Sequence, residues 1–370
     1  MANEAAARSR ERLPLLARFP RLARRTPIVP LSAGPSPVAR LSRLSDSLGA
    51  PDIWLKNDGL YGTVYGGNKP RKLEFVLADA LRRKSKTVLT TGAIGTNHGL
   101  ATALYGAHAG LNIGLLLTYE EPGPDTGLQL LRMADAGADI YYTRNHALTA
   151  AAAPYFIARY WLRDRRRPYV LGPGGSSSMG ALGFVNAGFE LAAQVAAGEL
   201  PAPQSIVIPV GTGATAAGLL AGLRLAGLDS EVIGVAVTRA PTAWPVAVSR
   251  LARNVTKLLA KRAGDRNLAR VRLDGLHISR DWLGPGYARP SRLGAQALAM
   301  AADLENLTLD PVYTAKTMSA VISLAERSGA RGPVLYWHTH NAIPMPEPDP
   351  AAASRLPPSL RRVGQSSTRV

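Results

Sequence analysis

The stretch Tyr65-Gly66-Gly67-Asn68-Lys69-Pro70-Arg71-Lys72-Leu73-Glu74 sets one lysine at the mouth of a glycine turn, directly ahead of a helix. Paired glycines let the backbone enter conformations closed to other residues and approach a ligand closely, and Pro70 suits the first helical turn. The residues that follow place Leu73, Val76, Leu77 and Ala80 on one face, which predicts a helix over Lys72 to Leu81. An amine held on such a turn can condense with an aldehyde, provided that its surroundings depress its pKa. Lys69 is therefore the candidate chemical centre. In isolation, Gly-Gly-Asn-Lys reads far more readily as a solvated lysine in a basic helix start.

Working outward, the pattern alternates. Proline and glycine punctuate an extended entry between Pro27 and Pro37, and the spacing of Val38 to Leu44 predicts a short helix before a strand at Ile53 to Lys56. Beyond the lysine helix, Thr87 to Thr91 reads as a buried strand running into Gly92-Ala93-Ile94-Gly95-Thr96-Asn97-His98-Gly99 and an alanine-rich helix. The same unit recurs at Ile113 to Leu117 with a helix over 127–136, and at Asp139 to Tyr142 with a helix over 148–162. A second block runs from Tyr169 through a strand at Ser205 to Val210, a glycine turn and helix, and a strand at Glu231 to Val237. Such alternation predicts an α/β protein with parallel sheets covered on both faces, and ligands outside the carboxyl ends of the strands.

With 370 residues and 46% hydrophobic content, the chain can build two domains. No apolar run reaches about 18 residues and the first residues lack a signal peptide's apolar region, so a cytoplasmic protein with no membrane partner is expected. The absence of cysteine removes disulfides, thiolate metal sites and cysteine nucleophiles, and the six histidines show no helical ligand spacing, so no metal is expected. His338 and His340 end the apolar run from Pro333, where a strand end lining a site is the better reading. The formal charge of +18 raises nucleic acid as a partner. The excess, however, lies mostly in the segments 8–25, 163–167, 250–272 and 355–369, without interleaved aromatics, so no specific nucleic-acid site is expected and the charge reads as solvated surface.

Two loops carry further chemistry. Gly211-Thr212-Gly213-Ala214-Thr215 exposes backbone N–H groups and hydroxyls at a helix N-terminus, a cradle for a phosphate monoester. No lysine follows, as a Walker loop would require, and the G-x-G-x-x-G spacing of a dinucleotide turn is absent. Thr96-Asn97-His98, between a strand end and a helix start, can receive a substrate carboxylate, or can simply cap the helix.

The run GGNKPRKLEFVLADAL resembles the cofactor-lysine segment of the D-cysteine desulfhydrase and aminocyclopropane-carboxylate deaminase family of pyridoxal-phosphate enzymes. Other blocks recur in the same order: RFPR, GPSPVARLSRLSDSLG, TGAIGTNHG, GGSSSMGALGFV, VGTGATAAGLLAGL, GPGYARP and LDPVYTAKTM, together spanning about residues 17 to 345. The resemblance implies a tryptophan-synthase-β-like fold (pyridoxal-phosphate fold type II) of two parallel-sheet αβα domains with the active site between them. It further implies a large cofactor-binding domain from 17–71 and 181–345, an inserted small domain at 72–180, and disordered tails at 1–16 and 346–370. Lys69 would carry pyridoxal 5'-phosphate, with Asn68, Asn97, the loop from Gly211 to Thr215, Thr314 and Thr339 also binding it. Thr96, Asn97 and His98 would hold the substrate, and Thr96, Tyr287 and Tyr313 would join Lys69 in catalysis.

The implied activity is β-elimination and deamination of a small amino acid, D-cysteine foremost, by a homodimer. Aminocyclopropane-carboxylate deamination and β-replacement are the alternatives, and a non-catalytic cofactor-binding or basic binding protein is the reading from another class. Threonine at 314, where deaminases of the family have glutamate, favours elimination on this reading. The chain departs from the family at Gly95-Thr96, where Q-S is usual, and at His340-Asn341, where two glycines are usual.

Overall fold

The computed structural model describes residues 13–49, 52–326 and 332–366. From the N-terminus run helices α1 (Pro14–Arg18) and α2 (Pro20–Arg25), strand β1 (Val38–Arg40), α3 (Ser42–Leu48), β2 (Ile53–Asn57), α4 (Asn68–Arg82), β3 (Thr87–Ala93), α5 (Asn97–His108), β4 (Asn112–Thr118), α6 (Thr126–Asp135), β5 (Asp139–Arg144), α7 (His146–Asp164) and β6 (Tyr169–Leu171). There follow α8 (Ser178–Ala196), β7 (Ser205–Val210), α9 (Ala214–Ala226), β8 (Glu231–Ala236), α10 (Pro245–Ala263), β9 (Leu276–Ser279), α11 (Arg292–Glu305), α12 (Thr314–Ala325), β10 (Val334–His338) and α13 (Pro358–Ser366).

Two sheets organise these elements. The middle of the chain forms a four-stranded parallel sheet in the order β5-β4-β3-β6, while both ends supply a six-stranded sheet in the order β1-β2-β10-β7-β8-β9. In the larger sheet β10 lies parallel between β2 and β7, which closes the chain's C-terminal half onto its N-terminal strand. Only β1 is antiparallel, pairing Val38 with Lys56 at the sheet edge. Here the sequence expectation fails: Val38 to Arg40 are extended, and the helix begins at Ser42. Pairing with β2 satisfies the backbone of this segment, and that outweighs a helical spacing only two turns long.

Helix α8 is the central pillar, buried nearly throughout from Met179 to Leu191 and packed between α4 and α9. Gly183 permits the contact with α4, since a methyl there would run into the Arg71 carbonyl. The lysine helix is thereby seated against the core two residues from Lys69.

The expected tails also need correction where they are described. Leu13, Leu15 and Leu16 are buried, and the Leu15 N–H donates to Asn186 Oδ1 at 3.1 Å, so only residues 1–12 lie outside the described structure at that end. Residues 350–355 form a 3-10 turn and α13 follows, with Ala352, Leu356 and Leu360 buried in the same core cluster as Leu131 of α6. Those apolar residues recur at every fourth position and cover α6; the surrounding arginines mask the pattern in the sequence.

Candidate active site

A cavity of about 690 Å³ opens at the carboxyl ends of β3, β4 and β7, between the two sheets. Lys69 lines it from the first turn of α4. The turn before it is held at every residue. Gly66 N–H donates to Asn341 Oδ1 at 2.5 Å, Gly67 N–H to the Asp58 carbonyl at 2.6 Å, and Asn68 N–H to the Thr339 carbonyl at 3.2 Å. Gly67 has a φ of 95°, and a Cβ there would lie 2.6 Å from the Thr339 oxygen, so glycine is required on both counts. Behind the turn, the buried Arg71 guanidinium bridges Asp58 and Glu190 by hydrogen bonds of 2.7–2.9 Å, and Lys56 meets the same Glu190 at 2.5 Å. Lys69 itself makes no hydrogen bond or ion pair with a described residue. Burial pulls its amine down to about 8, and the Asp310 carboxylate acts in the opposite sense. A lysine with that environment can shed its proton near neutrality and act as a nucleophile or base.

One end of the cavity is a cradle for an anion. Gly211, Thr212, Gly213 and Thr215 line it, while Ala214 begins α9 from a buried position off the wall. Asn68 Nδ2 donates to Thr215 Oγ1 at 3.3 Å, which ties the lysine turn to this loop. Sequence reasoning missed Lys72, one helical turn beyond Lys69. Its ammonium is buried and, among the described residues, reaches only the Gly174 carbonyl at 3.3 Å and faces no carboxylate; burial first and the neighbouring Lys69 second hold its pKa well below the usual range. Gly174 abuts Thr212, so the unpaired cation and the N–H-rich loop share one end of the cavity. A buried ammonium beside a helix N-terminus is the donor set that a phosphate dianion requires.

Thr96, Asn97 and His98 all line the cavity. The Thr96 hydroxyl accepts from Gly99 N–H at 3.2 Å, so it caps α5 and retains its own proton for donation. Asn97 Oδ1 accepts from Gln129 Nε2 at 2.9 Å and Tyr65 OH at 3.2 Å, which orients the amide so that Nδ2 is left to donate. His98 is fixed and neutral. The Thr90 hydroxyl donates to the Leu171 carbonyl, so His98 Nε2, 3.0 Å from that hydroxyl, carries the proton. Burial, with Lys69 and Lys72 nearby, holds its pKa well below the usual imidazole range.

At the other end, Tyr287 and Tyr313 meet with their hydroxyls 2.7 Å apart and their rings edge to face. Burial raises the Tyr313 phenol, and partial loss of water at the rim raises Tyr287, still 41% exposed, to about 12, so each stays protonated. Thr314 is not among the residues that line the cavity. It is fully buried, its hydroxyl donates to Asp310 Oδ2 at 2.6 Å, and it accepts from Asp310 N–H at 2.6 Å. The group on the cavity wall is Asp310, whose carboxylate also accepts the N–H groups of Val312, Tyr313 and Thr314 at the start of α12. Thr339 and His340 line the wall beside it, with His340 Nδ1 3.7 Å from Asp310 Oδ2. Asn341 is turned away to clamp Gly66. Glu120, also unforeseen, lines the rim, and burial raises its carboxyl to about 7.

The comparisons agree with this geometry. The family described as pyridoxal-phosphate dependent enzymes matches residues 29–340. A D-cysteine desulfhydrase from Salmonella choleraesuis is 37% identical over 334 residues, covering 88% of this chain and 95% of the relative, and one from Salmonella paratyphi C is 36% identical over the same span. The crystal structure of an ACC deaminase homologue superimposes with a TM-score of 0.72 at 30% identity, covering 88% of this chain and 94% of that one. Serine racemase from Dictyostelium discoideum, at 14% identity and a TM-score of 0.58, covers 84% of this chain and 93% of its own and shares the fold. A free, depressed lysine amine, an anion cradle beside it and a match across more than four-fifths of the sequence lead to one conclusion: the chain belongs to the pyridoxal-phosphate dependent enzymes, in the tryptophan-synthase-β-like fold.

Proposed function

We propose that the chain is a lyase that removes the β-substituent and the α-amino group of a small amino acid, with D-cysteine as substrate and pyruvate, sulfide and ammonia as products. The observation that carries this reading is the 37% identity to a D-cysteine desulfhydrase along 88% of the chain. The residues present suit the cofactor: a phosphate would find the buried, unpaired Lys72 and the loop from Gly211 to Thr215, and an aldehyde would find Lys69. When bound, pyridoxal phosphate supplies a conjugated ring that accepts the electron pair left by loss of a proton at Cα.

The protein's own part is positioning and proton transfer. Lys69 would take the proton from Cα through Nζ, and its depressed pKa suits that exchange near neutral pH. Asn97 Nδ2 and the N-terminus of α5 receive the substrate carboxylate and cofactor oxygen, with Gln129 fixing the amide. Tyr287 and Tyr313 stand protonated at the opposite side, where a departing thiolate needs a hydrogen-bond donor. The Asp58, Arg71 and Glu190 network keeps the lysine turn from relaxing into the core.

Among the described residues no helix is long and apolar enough to cross a membrane. We take the enzyme to act in the cytoplasm as a homodimer, and the exposed stripe of Leu148, Tyr155 and Leu162 on α7 supports a second copy seated there. The test of the function is a substrate comparison on purified holoenzyme. D-cysteine should release sulfide, pyruvate and ammonia in equal amounts, and aminocyclopropane-carboxylate should release little ammonia. Ammonia from the cyclopropane with no sulfide from D-cysteine would replace this reading with the deaminase one.

A further inference from the structure

Two of the arginine-rich segments that look like scattered surface charge in the sequence, 8–25 and 250–272, converge in space beside Arg82. A cleft of about 670 Å³, sharing no residue with the catalytic cavity, is lined by Arg24 and Arg25 from the end of α2, Arg82 from the end of α4, and Lys261 and Arg262 from the end of α10. Among the described residues no carboxylate lines it. Asp79, only 2% exposed, sits behind Arg82 and Arg262 at 2.7 and 3.7 Å. The cleft is also built rather than loose. Arg262 Nη1 donates to the Arg25 carbonyl at 3.0 Å and Thr26 Oγ1 at 3.1 Å, and Arg25 Nη1 donates to the Lys261 carbonyl at 3.4 Å, so the ends of α2 and α10 are stitched together through the cationic side chains themselves, and Arg262 reaches α4 through Asp79.

Helix ends explain part of this charge, because each C-terminus carries roughly half a negative charge. Five lining cations against one carboxylate and three such ends still leave an excess of about two to three positive charges among the described residues. Arg24 and Lys261 have no carboxylate partner there. We propose that this cleft is a binding site for a small polyphosphate anion, with inorganic pyrophosphate as the simplest member of the class. Guanidinium forks match phosphate oxygens in pairs, and the excess charge matches the anion's own. The site lies at the opposite end of α4 from Lys69, so an occupant would sit on the same helix as the catalytic lysine without entering its cavity.

Calorimetric titration of pyrophosphate into the full-length holoenzyme, with the catalytic phosphate cradle already filled by cofactor, tests this. One saturable site is expected, at an ionic strength where sulfate gives no comparable heat. The double variant Arg24→Ala/Lys261→Ala should weaken it by at least about tenfold, the loss of two charge-assisted contacts, while the holoenzyme spectrum and melting temperature stay unchanged. An undiminished affinity in that variant, or heat that sulfate reproduces, would overturn the proposal. So would binding of an oligonucleotide or anionic vesicles without any saturable pyrophosphate site, since that marks an extended basic surface instead. If the double variant melts early, Lys261→Met alone must still weaken pyrophosphate severalfold, and failure to do so counts against the site equally.

Discussion

Lys69 owes its reactivity to two opposing neighbours: a dry wall that disfavours the ammonium and the Asp310 carboxylate that favours it. The balance leaves the amine near 8, well below a lysine's ordinary 10.5. Uptake of pyridoxal phosphate by the apoenzyme should therefore quicken as pH rises toward about 8 and level off above it. Asp310→Asn removes the favouring charge but keeps an acceptor for the start of α12, and it should move that midpoint to lower pH. Stopped-flow absorbance across a pH series measures both, and a midpoint that does not move would remove Asp310 from the account. Asn341 makes a second residue-level prediction. Its loss in Asn341→Gly removes the hydrogen bond to Gly66 and should weaken cofactor binding by about 1 kcal/mol, roughly fivefold in Kd, measured by equilibrium titration. Lys69 was legible from its turn, but the partner of Thr314 was not. A motif fixes where a residue lies along the chain and not where its hydroxyl points, and four residues upstream Asp310 captures that hydroxyl.

At the scale of elements, α4 is fixed by charges that α8 and β2 bring from far along the chain. Glu190 on α8 pays a burial cost, yet Arg71 and Lys56 more than offset it and hold its carboxyl down to about 2 from 4.5. A depressed carboxylate contributes stability above its unfolded pKa and loses it as pH falls through the folded value. Unfolding free energy should thus decline between about pH 4.5 and 2, and Glu190→Gln should flatten that decline. The same variant should cost about 3 kcal/mol at neutral pH, because Arg71 and Lys56 stay buried with one counter-charge removed. Denaturant melts at several pH values check both, and a neutral-pH cost within error would deny the network its role. The strand and helix alternation was readable from hydrophobic period, and so was the ligand-facing edge of the sheets. This network was not, since its bonded pairs lie 13 to 134 residues apart and only packing joins them.

For the whole molecule, the two sheets and the cavity between them follow from chain order, with the middle of the chain forming one sheet and its ends the other. The C-terminal segment escaped the sequence reading because arginines flank each of its buried leucines. Truncation after residue 345 would remove Leu356 and Leu360 and expose the face of α6 they cover, a loss of roughly 1.5–3 kcal/mol for the burial of each leucine. Chemical denaturation should show that loss while the cavity residues, all earlier in the chain, remain in place; an unchanged midpoint would mean that α13 is not part of the folded unit. The central claim is that Lys69, and not the more deeply buried Lys72 one turn away, is the amine that carries the cofactor. Borohydride reduction of the holoenzyme followed by peptide mass spectrometry decides it. The reduced cofactor should be found on Lys69, with Lys72 unmodified and the Lys69→Ala protein unlabelled. Label on Lys72, or label that persists in Lys69→Ala, would contradict the assignment.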